Sequence, residues 1–401
     1  MTHHKLLVVT TVPETLLTIL QDQPRFLAQA LGGSIIVELA TSPGPDAQCV
    51  ADAEGVMVHG VPMARGIAPL KDIYAIVRMM HLLRRERPDI IHSYTAKAGL
   101  IAMIAGWLCR VPVRVHTFTG LVFPTERGFK RSILIAVDRL VCAAATRVVP
   151  EGLGVLADLR DHHITGKPLQ VIGHGNIAGV DTRLYDRDAP GLSEAAAALR
   201  TQLTIPTDAL VYCYVGRLNR DKGLHELLAA FDALPPTAHL ALAGALDITA
   251  PISPYEQNLI ASHPRIHALG FMQDVRPLMT MSDVLVLPSY REGFPNVVLQ
   301  AGAMALPVIA TDINGCNEVI TPNHNGWLVP PHDTPALRIA MEAAANLTSE
   351  QRREMGIQAR IRIQQRYERD THWQNMLAFY RQLAAGLSDS RHWRPHTETT
   401  P

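Results

Sequence analysis

The stretch Leu285-Val-Leu-Pro-Ser-Tyr-Arg-Glu-Gly-Phe-Pro-Asn-Val-Val-Leu-Gln-Ala-Gly-Ala-Met-Ala-Leu-Pro-Val-Ile-Ala-Thr311 decides how the rest of the chain is read. Residues 284–287 are a short apolar run stopped by Pro288, the pattern of a buried strand. Residues 296–304 read as a short helix, with Pro295 just ahead of its first turn, where a missing N–H costs nothing. Residues 308–310 form a second buried run. The whole is a strand, a loop, a helix and a strand of an open α/β sheet. In such sheets ligands sit beyond the carboxyl ends of the strands, where loops meet helix N-termini. The loop 289–294 is therefore placed to hold a ligand, and Glu292 is its only carboxylate. The N–H groups that open the following helix favour an anionic or polyhydroxy partner. Gln300 follows Asn296 by four residues and shares its helical face.

Upstream, Leu210-Val-Tyr-Cys-Tyr-Val-Gly-Arg-Leu-Asn-Arg-Asp-Lys-Gly-Leu224 repeats the logic. A β-rich run ends at Gly216, where backbone can approach a ligand closely. Arg217 and Lys222 then sit in a tight loop before a helix predicted over 224–231. Two fixed cations beside a helix N-terminus are what a departing diphosphate requires. Two further strands, 240–243 and 265–269, end at Gly244 and Gly270.

The first half alternates short strands, expected at 6–9, 35–39, 56–58, 89–93, 114–117, 147–150 and 169–172, with helices near 70–87, 97–109, 129–145 and 152–159. This is the pattern of a doubly wound parallel sheet. No GxGxxG follows the first strand, which disfavours a nicotinamide-binding domain. His92-Ser-Tyr-Thr-Ala-Lys-Ala-Gly99 opens a helix after one strand, and the next strand ends in His116-Thr-Phe-Thr-Gly120. Side chains alternate along a strand, so His116 and Phe118 share one face and Thr117 and Thr119 the other. The loop that follows, 120–131, carries Leu121, Phe123 and Phe129 beside Arg127, Lys130 and Arg131. If those apolar residues are exposed, it suits an acceptor with a lipid chain and a diphosphate.

These motifs resemble the family 4 glycosyltransferases of the GT-B fold. In that family a Glu, seven residues and a second Glu hold the two ends of a nucleotide sugar; here the pair is Glu292 and Gln300. The amide can still bond a ribose diol, without charge. The resemblance implies an α/β architecture of two facing Rossmann-like, doubly wound domains with an inter-domain cleft. An acceptor domain is expected over 1–182 and a donor domain over 183–370. A helix over 371–386 would cross back to the first domain, before a disordered tail over 387–401. It implies that Arg217 and Lys222 hold the donor diphosphate beside Gly216. Gly270, Phe271 and Met272 would read the base, and Phe294, Pro295, Asn296 and Val297 would cradle the sugar. In many relatives a His in a Thr-x-His-Gly turn touches the transferred sugar. The matching position here is Thr119, with His116 three residues earlier, and spacing leaves open which of the two serves.

The implied activity is transfer, with retention of anomeric configuration, from a nucleotide sugar. The donor is expected to be a UDP-sugar and the acceptor a polyprenyl-diphosphate-linked sugar in capsule, exopolysaccharide or lipopolysaccharide assembly. No cofactor and no metal are expected. Asp186-Arg-Asp188 spells the DxD metal motif of the other large glycosyltransferase fold, but in a polar linker rather than after a buried strand. Two rivals are a UDP-sugar epimerase of the same fold and a non-catalytic nucleotide-sugar-binding subunit.

Bulk properties fit. The 401 residues accommodate two ordinary domains, and 37 Lys+Arg balance 37 Asp+Glu, so nucleic acid is not an expected partner. The five cysteines lie far apart with no CxxC pair, which disfavours a zinc or dithiol site. The chain begins directly on a strand with no signal-peptide pattern. Its longest apolar segment, 98–109, falls short of the ~20 residues a membrane span needs. A cytoplasmic protein in peripheral contact with the inner membrane is the expectation.

Overall fold

A computed structural model of the chain describes residues 3–64, 66, 68–247 and 250–392. It divides into two compact units. One holds the chain up to Glu151, Val155–Ala178 and the residues from Thr371 on; the other holds Gly152–Gly154 and Gly179–Asp370.

The first unit is built on six parallel strands: β1 (His4–Val9), β2 (Ile35–Thr41), β3 (Val58–Gly60), β4 (Ile90–Tyr94), β5 (Val113–Phe118) and β6 (Arg147–Pro150), in the order β3-β2-β1-β4-β5-β6. The second unit repeats this with β7 (Leu210–Val215), β8 (Ala238–Ala243), β9 (Ile266–Gly270), β10 (Val284–Leu287), β11 (Val308–Thr311) and β12 (Gly326–Val329), in the order β12-β11-β10-β7-β8-β9. Read from β9, this is the connectivity of the first sheet again. Both are doubly wound α/β sheets. Parallel strands covered by helices on both faces must be apolar throughout rather than alternating. Accordingly all four residues of β10 and all six of β8 are buried.

The expected strand at 169–172 is not one. Leu169 makes only an isolated bridge to Val148, because Pro168 and Gly173 interrupt the run on either side. Conversely, β12 was not legible: it opens on Gly326 after Asn323-His-Asn325, which reads as a turn.

The last helix, Arg369–His392, contributes Met376, Leu377, Tyr380 and Leu383 to the core of the first unit, in one cluster with Leu6, Val8 and Ile90. The expected disordered tail begins within this helix at 387–392; the rest of it lies outside the described residues. Among the described residues no helix is long and apolar enough to cross a membrane.

Candidate active site

In the second sheet the chain leaves β7 toward β8 on one side and β10 toward β11 on the other. The carboxyl ends of these neighbours therefore flank the crevice where doubly wound sheets bind ligands. Two loops rise from it, 216–223 and 288–295.

Gly223 brings them together. Its φ of +67° is left-handed, and a Cβ there would lie 2.0 Å from the Pro288 carbonyl oxygen, so only glycine fits. The Tyr290 N–H donates to the Asp221 carbonyl (2.9 Å), the Tyr290 hydroxyl donates to Glu226 (2.6 Å), and Arg291 reaches Asp221 (3.3 Å). Within this frame the Lys222 ammonium pairs with the Glu292 carboxylate, their side chains only 19% and 14% exposed. Arg217 lies on the same loop. Its carbonyl accepts from the buried Tyr214 hydroxyl (2.8 Å), while its exposed guanidinium meets Asp247 (2.5 Å). Asp247 also accepts from the Asn219 amide (3.2 Å). Sequence reasoning missed Asp247; the available signal was a carboxylate three residues past Gly244 at the end of β8.

The helix Asn296–Ala303 begins at Pro295 with no side-chain cap, and the Val298 N–H donates to the Pro295 carbonyl (3.1 Å). Phe294 is buried against Tyr367 (ring centroids 5.4 Å apart), which fixes the turn entering the helix. Gln300 is half-buried, its side chain beside the Tyr185 phenol. Gly270 ends β9 with φ +65°, Phe271 beyond it is exposed, and Met272 packs on the core. Gly216, Arg217, Lys222, Glu292, Phe294, Pro295, Asn296, Val297 and Gln300 thus lie on or beside the two loops at the β7/β10 crevice. Gly270, Phe271 and Met272 stand on the loop after β9.

The expected residues of the first unit fare differently. Thr119 follows the carboxyl end of β5 and is half-buried. His116 is a core residue and cannot touch a substrate as placed. Its ring lies against Gly99, where an added Cβ would come within 2.3 Å, its Nδ1 is 2.9 Å from the Ser93 hydroxyl, and it meets Phe118 edge-on. The periodicity assigned its face correctly; that face is buried under the helix Ala96–Leu108. Leu121 and Phe123 are also buried, not exposed as the lipid-chain reading of the loop required, and only Phe129 of the three faces solvent.

Buried histidines give this unit an acid sensitivity. His92 lies between the hydroxyls of Tyr380 and Thr117 (both 2.7 Å). Burial, with His116 nearby, drives its pKa to about 3; burial takes His116 to about 3 and His372 to about 4. Below an unfolded-chain value near 6.5 the unfolded state takes up protons that the folded state refuses. Stability present above pH 6.5 is therefore lost as pH falls toward these values. Between pH 6.5 and 5 the loss is on the order of 2 kcal/mol per histidine. Urea midpoints at pH 7 and pH 5 measure it; an unchanged midpoint contradicts the burial of these neutral rings.

Among the described residues the one grouping with metal-ligand chemistry is Glu38, His59 and Glu86. The Lys5 ammonium lies 2.7 Å from Glu38 and 3.0 Å from Glu86, already balancing both carboxylates. Asp186-Arg-Asp188 is no solvated linker at its centre: Arg187 donates to the Thr280 (2.6 Å) and Ser282 (3.2 Å) carbonyls, and Asp186 pairs with Arg360 (3.1 Å). These residues line a cavity of about 490 Å3 with Asp283, Arg352 and Arg353. It opens beside Asp283 and Pro307, at the amino ends of β10 and β11 and so away from the crevice.

Residues 25–175 match the model of the glycosyl transferase 4-like domain, and residues 209–346 that of the glycosyl transferases group 1. The chain belongs to the family 4 glycosyltransferases. Over 388 residues the enzyme is 26% identical to the capsular polysaccharide biosynthesis glycosyltransferase CapM of Staphylococcus aureus, covering 95% of this chain and 97% of that one. It is 27% identical to a UDP-Gal:alpha-D-GlcNAc-diphosphoundecaprenol alpha-1,3-galactosyltransferase of Escherichia coli, over 70% and 72% of the two chains. In fold it is similar to a sucrose-phosphate synthase from Thermosynechococcus elongatus, with TM-score 0.75 and 21% identity over 96% of this chain and 100% of that one. Anabaena HepE, solved in complex with UDP, has TM-score 0.74 and 20% identity over 96% and 100%. At these identities the structures speak for the GT-B fold alone.

Proposed function

We propose that this glycosyltransferase moves a sugar, with retention, from a UDP-sugar to a polyprenyl-diphosphate-linked saccharide during assembly of a cell-surface polysaccharide. The observation that carries this reading is the placement of Lys222, Glu292 and Arg217 on the two loops at the β7/β10 crevice. In the proposed reaction the acceptor hydroxyl attacks the anomeric carbon as the bond to the diphosphate breaks. Its proton passes to an oxygen of the departing phosphate, and UDP leaves. Lys222 and Arg217 take up the negative charge that develops, the part a metal ion plays elsewhere. Glu292 orients the sugar hydroxyls, the Phe294–Val297 backbone cradles them, Gln300 bonds the ribose, and the loop after Gly270 with Phe271 and Met272 receives the base. Thr119 takes the sugar contact from the first unit. The names of the relatives support the rest: one acts in capsule synthesis, and another uses UDP-Gal and a diphosphoundecaprenol acceptor. A site at the cytoplasmic face of the membrane follows from such an acceptor.

Incubation with radiolabelled UDP-sugars and a membrane lipid extract tests the reading. Label is expected to enter the lipid fraction, with UDP released only when extract is present. UDP-sugar consumption without an acceptor would point to an epimerase, and binding without turnover to a non-catalytic subunit. A screen of UDP-sugars by thermal shift identifies the donor, because saturation at about 100 times Kd adds roughly 2.7 kcal/mol of stability. Gln300→Glu is expected to keep activity within about threefold, since a carboxylate accepts the same ribose hydrogen bonds. Complete loss would show that the amide donates there, as it can to the Tyr185 oxygen.

A further inference from the structure

The loop that carries Glu292 is held to the segment 221–226 at three points. The Tyr290 N–H donates to the Asp221 carbonyl (2.9 Å), Glu292 pairs with Lys222, and the Tyr290 hydroxyl donates to Glu226 (2.6 Å). The first follows the course of the backbone, and the second joins two residues proposed for the chemistry. The third has no part in binding the donor.

Glu226 stands in the first turn of the helix Leu224–Asp232 and is only 7% exposed. A carboxylate so placed costs more to bury than an apolar side chain unless hydrogen bonds answer it. The Tyr290 hydroxyl supplies one to Oε2, and Nδ1 of His332 stands 3.9 Å from Oε1. His332 arrives from the segment between β12 and the helix Thr334–Asn346. Its ring lies on the Tyr290 ring, centroids 3.6 Å apart and planes 31° from parallel. Its φ is +62°, a left-handed backbone that glycine would adopt freely. A residue with a Cβ persists in that region where its surroundings hold it. The His332 side chain is 63% exposed, so what holds it is Tyr290 and Glu226 rather than the core. Segments that follow β7, β10 and β12 thus converge on one phenol, two residues before Glu292.

We propose that Tyr290 is a positioning residue for the transfer. Bonded by Glu226 and covered by His332, it fixes the turn that carries Glu292, and so the place at which Glu292 meets the sugar hydroxyls. The diphosphate and the base stay with Lys222, Arg217 and the loop after Gly270. A misplacement of about 1 Å in a group that orients the substrate can cost up to ~10²-fold in rate. This role rests on the one proposed above for Glu292.

Steady-state kinetics test it, with the UDP-sugar chosen by the thermal-shift screen and the membrane lipid extract, beside calorimetric titration with UDP. Tyr290→Phe keeps the ring against His332 and loses the hydroxyl. It is expected to lower kcat about tenfold while the Kd for UDP stays within about twofold. Glu226→Leu should match it, and the two together should be no slower than either alone. Glu226→Gln still offers an oxygen to the phenol and is expected to stay within about threefold of wild type. His332→Gly is expected to lower kcat about threefold with the melting temperature unchanged or higher, because glycine suits the backbone there. Wild-type kcat in Tyr290→Phe would overturn the proposal. So would a loss of UDP affinity as large as the loss of kcat, the mark of a merely structural tie, or a Glu226→Gln variant as slow as Glu226→Leu. Slow turnover in Glu292→Ala beside wild-type turnover in Tyr290→Phe would remove the clamp alone. Wild-type turnover in Glu292→Ala would remove the reading of the site on which the clamp depends.

Discussion

Replacing Lys222 by Ala is expected to lower kcat by about 10²- to 10³-fold while the protein stays folded. A fixed donor aimed at developing negative charge is typically worth that much when removed. Lys222 is proposed as such a donor: it stands just ahead of the helix Leu224–Asp232 at the β7/β10 crevice and is held in place by Glu292. Glu292→Ala should be comparably damaging to turnover, because it loses the carboxylate proposed to orient the sugar. The two substitutions separate activity from stability. Either alone strands a mostly buried charge and should cost about 1–2 kcal/mol, less than for a fully buried pair because both side chains keep some solvent contact. The double variant removes the pair together and is expected to recover part of that stability but none of the activity. Steady-state kinetics and urea unfolding on the three variants measure both. Wild-type turnover in either single variant would remove the pair from the mechanism.

Gly223→Ala is expected to be among the most damaging single methyl additions in the second unit. Two costs combine: the left-handed backbone itself, about 1–2 kcal/mol for a residue with a Cβ, and a contact of 2.0 Å with the Pro288 carbonyl oxygen. That oxygen is backbone at the end of β10, so relief requires the two loops to part. A total loss of about 3 kcal/mol or more follows, together with loss of the stabilisation UDP confers. Gly270→Ala is the matched control. Its φ is +65°, yet a Cβ there meets nothing within 4 Å, so only the backbone cost should appear. Melting temperatures of the two variants, with and without UDP, read the difference; equal losses would mean that the loops do not depend on that close approach.

What the chain disclosed in advance follows from how far each signal reaches. The strand Val284–Leu287 was legible at its observed bounds, because a doubly covered parallel strand must be an unbroken apolar run. The cationic loop was legible because Gly216, Arg217, Lys222 and Gly223 fall within eight residues. The pairing of Lys222 with Glu292, seventy positions apart, was not, and neither was Asp247 beside Arg217; contacts across a sheet leave no local periodicity. Alternation along β5 assigned His116 to a face but could not tell that Gly99 of the covering helix closes over its ring. The same limit produced the error at Leu121 and Phe123: an aromatic beside basic residues reads alike whether the ring turns inward or outward. Gln300 was expected at the ribose end of the donor, and its place beside Tyr185 was invisible because Tyr185 lies over a hundred residues earlier.

The central claim is that a diphosphate is held at the carboxyl ends of β7 and β10. A crystal structure with UDP tests it most directly. The account predicts diphosphate oxygens within about 3 Å of the Lys222 ammonium and the Arg217 guanidinium, with Arg217 turned away from Asp247. UDP bound instead in the arginine-lined cavity of Arg187, Arg352 and Arg353, or anywhere else distant from Lys222, would contradict it.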